Sequence, residues 1–248
     1  MDILYVLWLR QVRRYLRSGS RLLGTLGQPI LLLLALGYGI GAIYKRAGAG
    51  NYMNFLVPGI ITQTVLLSAI FWGIIILQDK RFGFLAEMLV APVSRLKILV
   101  GSAAGGATIS ILQGLIVFVV SSFLGFRPYD WALVPVAFLV LVFMSLALTC
   151  FGAGIASIVD DFQGFQGINN LLVMPLFFLS SALYPLNNVP TFLRIISEFN
   201  PVSYMVDALR TLLTNQSHFG LGKDLIVMAV TFVVALYFAV SRFNRIQM

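Results

Sequence analysis

The chain is poor in what a water-soluble enzyme normally uses. Only 10% of its 248 residues are charged, against ~25% in an ordinary soluble domain. Histidine occurs once, as His218, and cysteine once, as Cys150 in an apolar run. A single cysteine excludes a disulfide framework and a thiolate-built metal site. No GxxxxGK[ST] loop is present, so the chain has no device of its own for cradling and hydrolysing ATP. The G-x-G-x-G pattern at Gly37–Gly41 sits in an apolar run with no lysine beside it and is discarded. A net charge of +8 does not call for nucleic acid, because most basic residues flank hydrophobic runs, where positive-inside bias accounts for them. Repeats and low-complexity tracts are also missing.

What the chain has is hydrophobic length: 59% of its residues are apolar. A span needs ~20 such residues, and six runs qualify: 22–44, 53–77, 98–124, 132–159, 164–183 and 225–240. The expectation is an all-α membrane protein with six transmembrane helices in a single domain covering 1–248. The N-terminal arginines precede a long run without a small-residue cleavage site, so that run stays as a span. Gln28-Pro29 should kink it or mark its start. The small residues of GSAAGGATIS, opening the third run, allow close helix approach. Six spans put both termini on one side. That side carries eleven Lys and Arg against six on the other, which places the termini in the cytoplasm.

None of the six runs contains Asp, Glu, Lys, Arg or His. Proton- and ion-driven transporters usually keep ionisable groups near the midplane despite their cost, so a stand-alone secondary transporter or channel is disfavoured. An embedded enzyme is disfavoured too, since Asp160 and Asp161 fall on the opposite side from His218. The two aspartates read better as caps for the following helix.

Three segments outside the spans are too patterned to be linkers. In residues 1–21, Arg10, Arg13, Arg14, Arg17 and Arg21 share one ~100° arc, and Leu4, Tyr5, Trp8, Leu9, Val12, Tyr15 and Leu16 lie opposite. This predicts an interfacial helix with its apolar side in the acyl boundary and its basic side towards headgroups or a partner. Residues 78–97, QDKRFGFLAEMLVAPVSRLK, hold six of the 26 charged side chains yet keep Phe82, Phe84, Leu85, Met88, Leu89 and Val90. A short amphipathic helix stopped by Pro92 and pressed into another protein fits that composition. A solvated loop with its apolar residues among headgroups fits it equally. Residues 184–222 are too polar to span. Pro190 and Asn200-Pro201 can each open a short helix, and Asp207 and Arg210 can pair on one face of the second. Two such half-helices dipping into the outer leaflet need protein around their backbone.

Residues spread along the chain resemble the membrane subunits, or permeases, of ABC type-2 exporters, in the branch of drug-resistance and nodulation-factor export. The stretches that carry the resemblance are RSGSRLLGTLGQPILLLL (Arg17–Leu34), FGFLAEMLVAPVSRLKILVG (Phe82–Gly101) and PLFFLSSALYPLNNVPTFLRIISEFNPVSYMVDALR (Pro175–Arg210). Phe84-Leu85-Ala86 departs from the pattern, which is often more polar or acidic there, and so puts the detail of a partner contact in doubt. The resemblance implies a homodimer with two copies of a cytosolic ABC ATPase subunit, no cofactor in this chain, and ATP and Mg on the partner. It implies a coupling helix in 78–97, with Arg81, Glu87, Met88, Leu89, Pro92 and Arg95, joined by Arg10 and Arg14 of an interface helix, touching the ATPase. It makes 184–222 a pair of extracellular re-entrant helices that includes Asp207 and Arg210, and it locates the chain in a prokaryotic inner membrane. The expected cargo is amphipathic: a drug-like molecule, a lipid or a lipid-linked glycan, with polysaccharide as the alternative. Met174, Phe177, Phe178 and Tyr184 are candidates for its path, although ordinary packing explains any one of them.

Overall fold

The computed structural model describes residues 3–46, 51–90, 93–186 and 189–245, and these are helices joined by turns. The helices are α1 (Ile3–Leu16), α2 (Gly19–Arg46), α3 (Tyr52–Phe71), α4 (Gly73–Arg81), α5 (Phe84–Val90), α6 (Arg95–Phe123), α7 (Val134–Ile158), α8 (Phe162–Phe178), α9 (Thr191–Phe199), α10 (Pro201–Thr214) and α11 (Leu221–Phe243). Five stretches are long and apolar enough to cross a membrane: Gly24–Gly41, Tyr52–Arg81, Arg95–Phe123, Trp131–Ile158 and Leu221–Phe243. The chain is therefore a multi-pass membrane protein.

The fifth expected run, 164–183, is helical only to Phe178. Its 17 residues reach about 26 Å at 1.5 Å per residue, just short of a ~30 Å hydrocarbon core. Residues 179–183 form turns instead. Three other runs extend into charged residues, α6 beginning at Arg95 and so taking in Arg95 and Lys97. The α3–α4 stretch continues to Arg81, and α11 begins at Leu221 and ends at Phe243, so Asp79, Lys80, Arg81, Lys223, Asp224 and Arg242 lie within candidate spans, near their ends.

The core is built around α3. Leu56, Val57, Ile60, Ile61, Val65 and Leu66 have almost no exposed surface, and α6, α7, α2 and α10 pack around them. Helix α10 is buried from Val202 to Arg210 between α3, α7 and α11. The protein itself thus surrounds this short helix, as the half-helix expectation required. Its partner α9 is different: Phe192, Ile195, Ile196 and Phe199 all face outwards.

Helix α1 corrects the expectation that the aromatics of its apolar side lie in the acyl boundary. It runs beside the first half of α6, with Leu4 and Leu7 over Gly101 and Gln11 over Gly105. A side chain at Gly105 would meet Gln11 Cβ at 2.6 Å, so only glycine allows this approach. Trp8 Nε1 donates to Thr108 Oγ1 at 2.9 Å, and Gln113 Nε2 donates to Tyr15 OH at 2.5 Å. Trp8 and Tyr15, expected in the acyl boundary, face α6, while Tyr5, Val6 and Leu16 remain exposed.

Candidate functional site

The ends of the helices gather into two poles. At the first, α1, the C-terminus of α4, α5, the N-terminus of α6, the C-terminus of α7, the N-terminus of α8 and the C-terminus of α11 meet through charged side chains. Arg10 of α1 forms an ion pair with Asp79, which is almost wholly buried. Arg14 Nη2 donates to Gln78 Oε1 at 2.9 Å. Lys80 Nζ lies 2.6 Å from Asp160 Oδ1 and holds that exposed carboxyl below its ordinary range, through the hydrogen bond first and its charge second. Arg81 stacks 5.2 Å from the Phe162 ring centroid. Arg95 Nη1 donates to the Asn244 carbonyl at 2.7 Å and so ties α6 to the end of α11.

Helix α5 projects from this frame. Leu85 is its anchor, buried with Leu7, Ile98 and Leu99. Phe82, Phe84 and Val90 are exposed, by 71%, 52% and 78%, and Glu87 is exposed beside them. Arg10 lies 5.8 Å from the Phe84 ring centroid. The pole thus presents an apolar, acid-bearing helix on a base of arginines and lysines. Arg81, Glu87, Met88, Arg95, Arg10 and Arg14 are all at this pole. The Leu89 side chain and Pro92, the proposed helix stop, lie outside the described residues. Asp161 caps α8 as expected, its Oδ1 accepting from Gly164 N at 2.6 Å, but Asp160 serves Lys80 instead.

The second pole closes the end of α8. A helix leaves its last carbonyls without intrahelical partners, and here remote side chains supply donors to them and to the turns that follow. Asn200 Nδ2 donates to Leu176 O at 2.7 Å, Ser197 Oγ to Leu179 O at 2.6 Å, Arg210 Nη2 to Ser181 O at 2.9 Å and Tyr52 OH to Leu183 O at 3.0 Å. Tyr184 OH donates to Phe178 O at 3.0 Å. Asn200 also caps α10, accepting from Val202 N at 2.9 Å.

The expected Asp207–Arg210 ion pair does not form. Asp207 accepts from the backbone N–H of His218 and Phe219 at 2.8–3.0 Å and so folds the loop back before α11. Arg210 turns the other way, its guanidinium 3.9 Å from the Phe55 ring centroid. Its direct partners are the Phe55 ring and the Ser181 carbonyl in the turns after α8, so no carboxylate touches the buried cation. The sequence signal was the polar set Ser197, Asn200 and Arg210 among apolar neighbours; which carbonyls they serve is set by the tertiary fold.

The residues expected along a cargo path do not share one surface. Met174 and Phe178 are on the open face of α8, whereas Phe177 is buried in the core. That open face also carries Gln163 and Asn170, with Gln166 Nε2 3.4 Å from Asn170 Oδ1. Amides exposed on an otherwise apolar helix are costly in hydrocarbon.

Residues 3–214 match the family model described as ABC-2 type transporter. The chain is 30% identical over 221 residues to the ycf38 transport permease of Cyanophora paradoxa, covering 86% of this chain and 75% of that one. It is 25% identical to nodulation protein J of Rhizobium leguminosarum bv. viciae (91% and 87% covered) and 26% identical to the inner membrane transport permease YadH of Escherichia coli K12 (95% and 89% covered). A bundle of apolar helices without a nucleotide-cradling loop, matched along most of its length by transport permeases, belongs to the ABC-2 type transporter family as a membrane transport component.

Proposed function

We propose that this chain is the transmembrane permease subunit of an ATP-driven exporter, in which two copies assemble with two copies of a cytosolic ATPase subunit that alone binds ATP and Mg. The observation that carries this reading is α5, which is anchored by Leu85 with its apolar and acidic outer surface uncovered. Such a surface suits a cleft in another protein, and a chain with no engine of its own needs one. Its base is rigid: α4, α6, α7, α8, α11 and α1 all meet there through the contacts of Arg10, Lys80, Arg81 and Arg95. A push on α5 would reach several helices at once. The excess of Lys and Arg at this pole makes it the cytoplasmic one, with both termini.

Helix α8 then serves as the sixth span. It starts beside Arg81 at the first pole, and the turns after it reach Tyr52 at the second. Its exposed amides favour contact with a second copy or with the transport path over contact with lipid. A hydroxyl-bearing amphipathic cargo, such as a lipid-linked glycan, suits Gln163, Gln166 and Asn170 beside Met174 and Phe178. Helices α9 and α10 form the extracellular re-entrant pair, and a prokaryotic inner membrane is the expected location.

Reconstitution tests the reading. The purified chain alone should show no ATPase activity, and transport should appear only when a separate ATPase subunit is added. Uphill transport by this chain alone, driven by a proton or sodium gradient, would overturn it. Reversing both charges, Glu87→Lys with Arg95→Glu, should leave insertion intact while ATP turnover no longer drives transport. Full coupling in that double variant would place the contact elsewhere.

A further inference from the structure

The loop between α6 and α7 carries a cation that the chain does not use. Arg127 is exposed and has no hydrogen bond, ion pair or ring contact among the described residues. Exposed beside it are Tyr129 and Trp131, the residue types that mark the headgroup level of a bilayer. The loop is well fixed. Phe126 is buried with its ring 6.1 Å from that of Phe118, and Tyr129 N donates to Leu213 O at 2.8 Å. Asp130 does not neutralise Arg127, because its carboxylate accepts from Ala132 N at 2.8 Å and caps the next turn.

Against this loop lies a shallow, open apolar groove. Its walls are Leu115 and Phe118 of α6 and Val134 and Phe138 of α7, and Ile61 of α3 and Leu213 of α10 form its floor. Phe118 and Leu213 are the same residues that hold the loop, through Phe126 and Tyr129, so the turn that carries Arg127 is tied to the groove on either side of it. The lining is apolar throughout. From Phe123, the last residue of α6, to Leu115 is eight residues, about 12 Å, which stays within one leaflet of a ~30 Å core.

We infer that the groove and Arg127 together form a binding site for one membrane phospholipid, with an acyl chain between α6 and α7 and the phosphate on Arg127. The two halves of the site match the two halves of such a molecule and of little else. A glycan finds no polar atom in the groove, and a free anion gains nothing from it. The site shares no residue with the open face of α8 and is separate from any cargo path along that helix.

Electron paramagnetic resonance of the delipidated, full-length protein in detergent tests this. The probe is phosphatidylglycerol with a nitroxide midway along one acyl chain. A saturable, motionally restricted component of one lipid per chain is expected. Arg127→Gln should weaken it about fivefold, the effect of one basic residue at a membrane surface. Leu115→Trp, which fills the groove, should abolish it, and Arg245→Gln at the other pole should leave it unchanged. A diacylglycerol with the same labelled chain but no phosphate should bind the wild type about as weakly as the phospholipid binds Arg127→Gln. Unchanged restriction in Arg127→Gln would overturn the assignment, and that variant lies on an exposed loop, so folding does not confuse the result. Cross-linking of Phe138→Cys to a second copy in native membranes would also overturn it, because the groove would then be covered by protein.

Discussion

Arg210 shows how a charge survives inside this bundle without an opposite charge touching it. Its guanidinium lies 3.9 Å from the Phe55 ring centroid and donates to the carbonyl of Ser181, beyond the end of α8. Planarity matters here, and lysine does not have it. Arg210→Lys should therefore behave nearly as badly as Arg210→Met, each costing about 2–4 kcal/mol, read as a lower thermal midpoint in detergent. Full stability in the lysine variant would show that only charge is needed. Arg10 and Asp79 make the opposite case, a direct pair with one buried partner. Removing Arg10 strands the carboxylate, so Arg10→Met should cost about 2 kcal/mol, less than a fully buried pair because Arg10 is one-third exposed. Arg10→Met with Asp79→Leu should recover most of that loss, and a double-mutant cycle with no coupling would contradict the pairing.

Among the elements, α1 and α8 depart furthest from their sequence patterns. Gly105→Leu should separate α1 from α6, since even one added carbon collides with Gln11. Proteolysis near residue 17 should then quicken while the spans stay resistant. Apolar length was enough to locate α2, α3, α6, α7 and α11, because a membrane helix satisfies its own backbone. Helix ends were less legible. Asp79 and Asp224 lie inside helices that the apolar letters ended at Leu77 or began at Leu225. The fifth run ends Leu-Ser-Ser-Ala-Leu, and these residues form turns whose carbonyls take donors from Ser197, Tyr52 and Arg210 at a distance. The arc of α1 predicted a helix but not its neighbour: arginines on one side suggested headgroups or a partner, and the fold gives Arg10 and Arg14 to α4. At the first pole, the arginine, lysine and glutamate positions were readable as a group, because charge in so apolar a chain collects where the chain leaves the membrane.

For the whole molecule, the two poles differ in what they leave open. One end exposes the apolar face of α9, which the re-entrant reading sets against lipid or detergent, while the other presents Phe82, Phe84 and Val90 uncovered beyond the candidate spans. An isolated chain should therefore self-associate through the α5 end, and Phe82→Ser with Val90→Ser should make it more monodisperse on size exclusion while reducing recruitment of an ATPase subunit. Unchanged recruitment would remove α5 as the contact. The docking of α1 also fixes an order of events during synthesis. Tyr15 finds Gln113, 98 residues later in the chain. At ~5–20 residues per second, translation takes about 5–20 s to cover that distance. For that interval the first helix is made but lacks its seat on α6, and only its link to α2 and its own amphipathic surface hold it at the membrane. A bulky tag fused ahead of Ile3 would have to be carried through this wait, and its harm should appear as poor assembly of nascent chains rather than as slower work by finished ones.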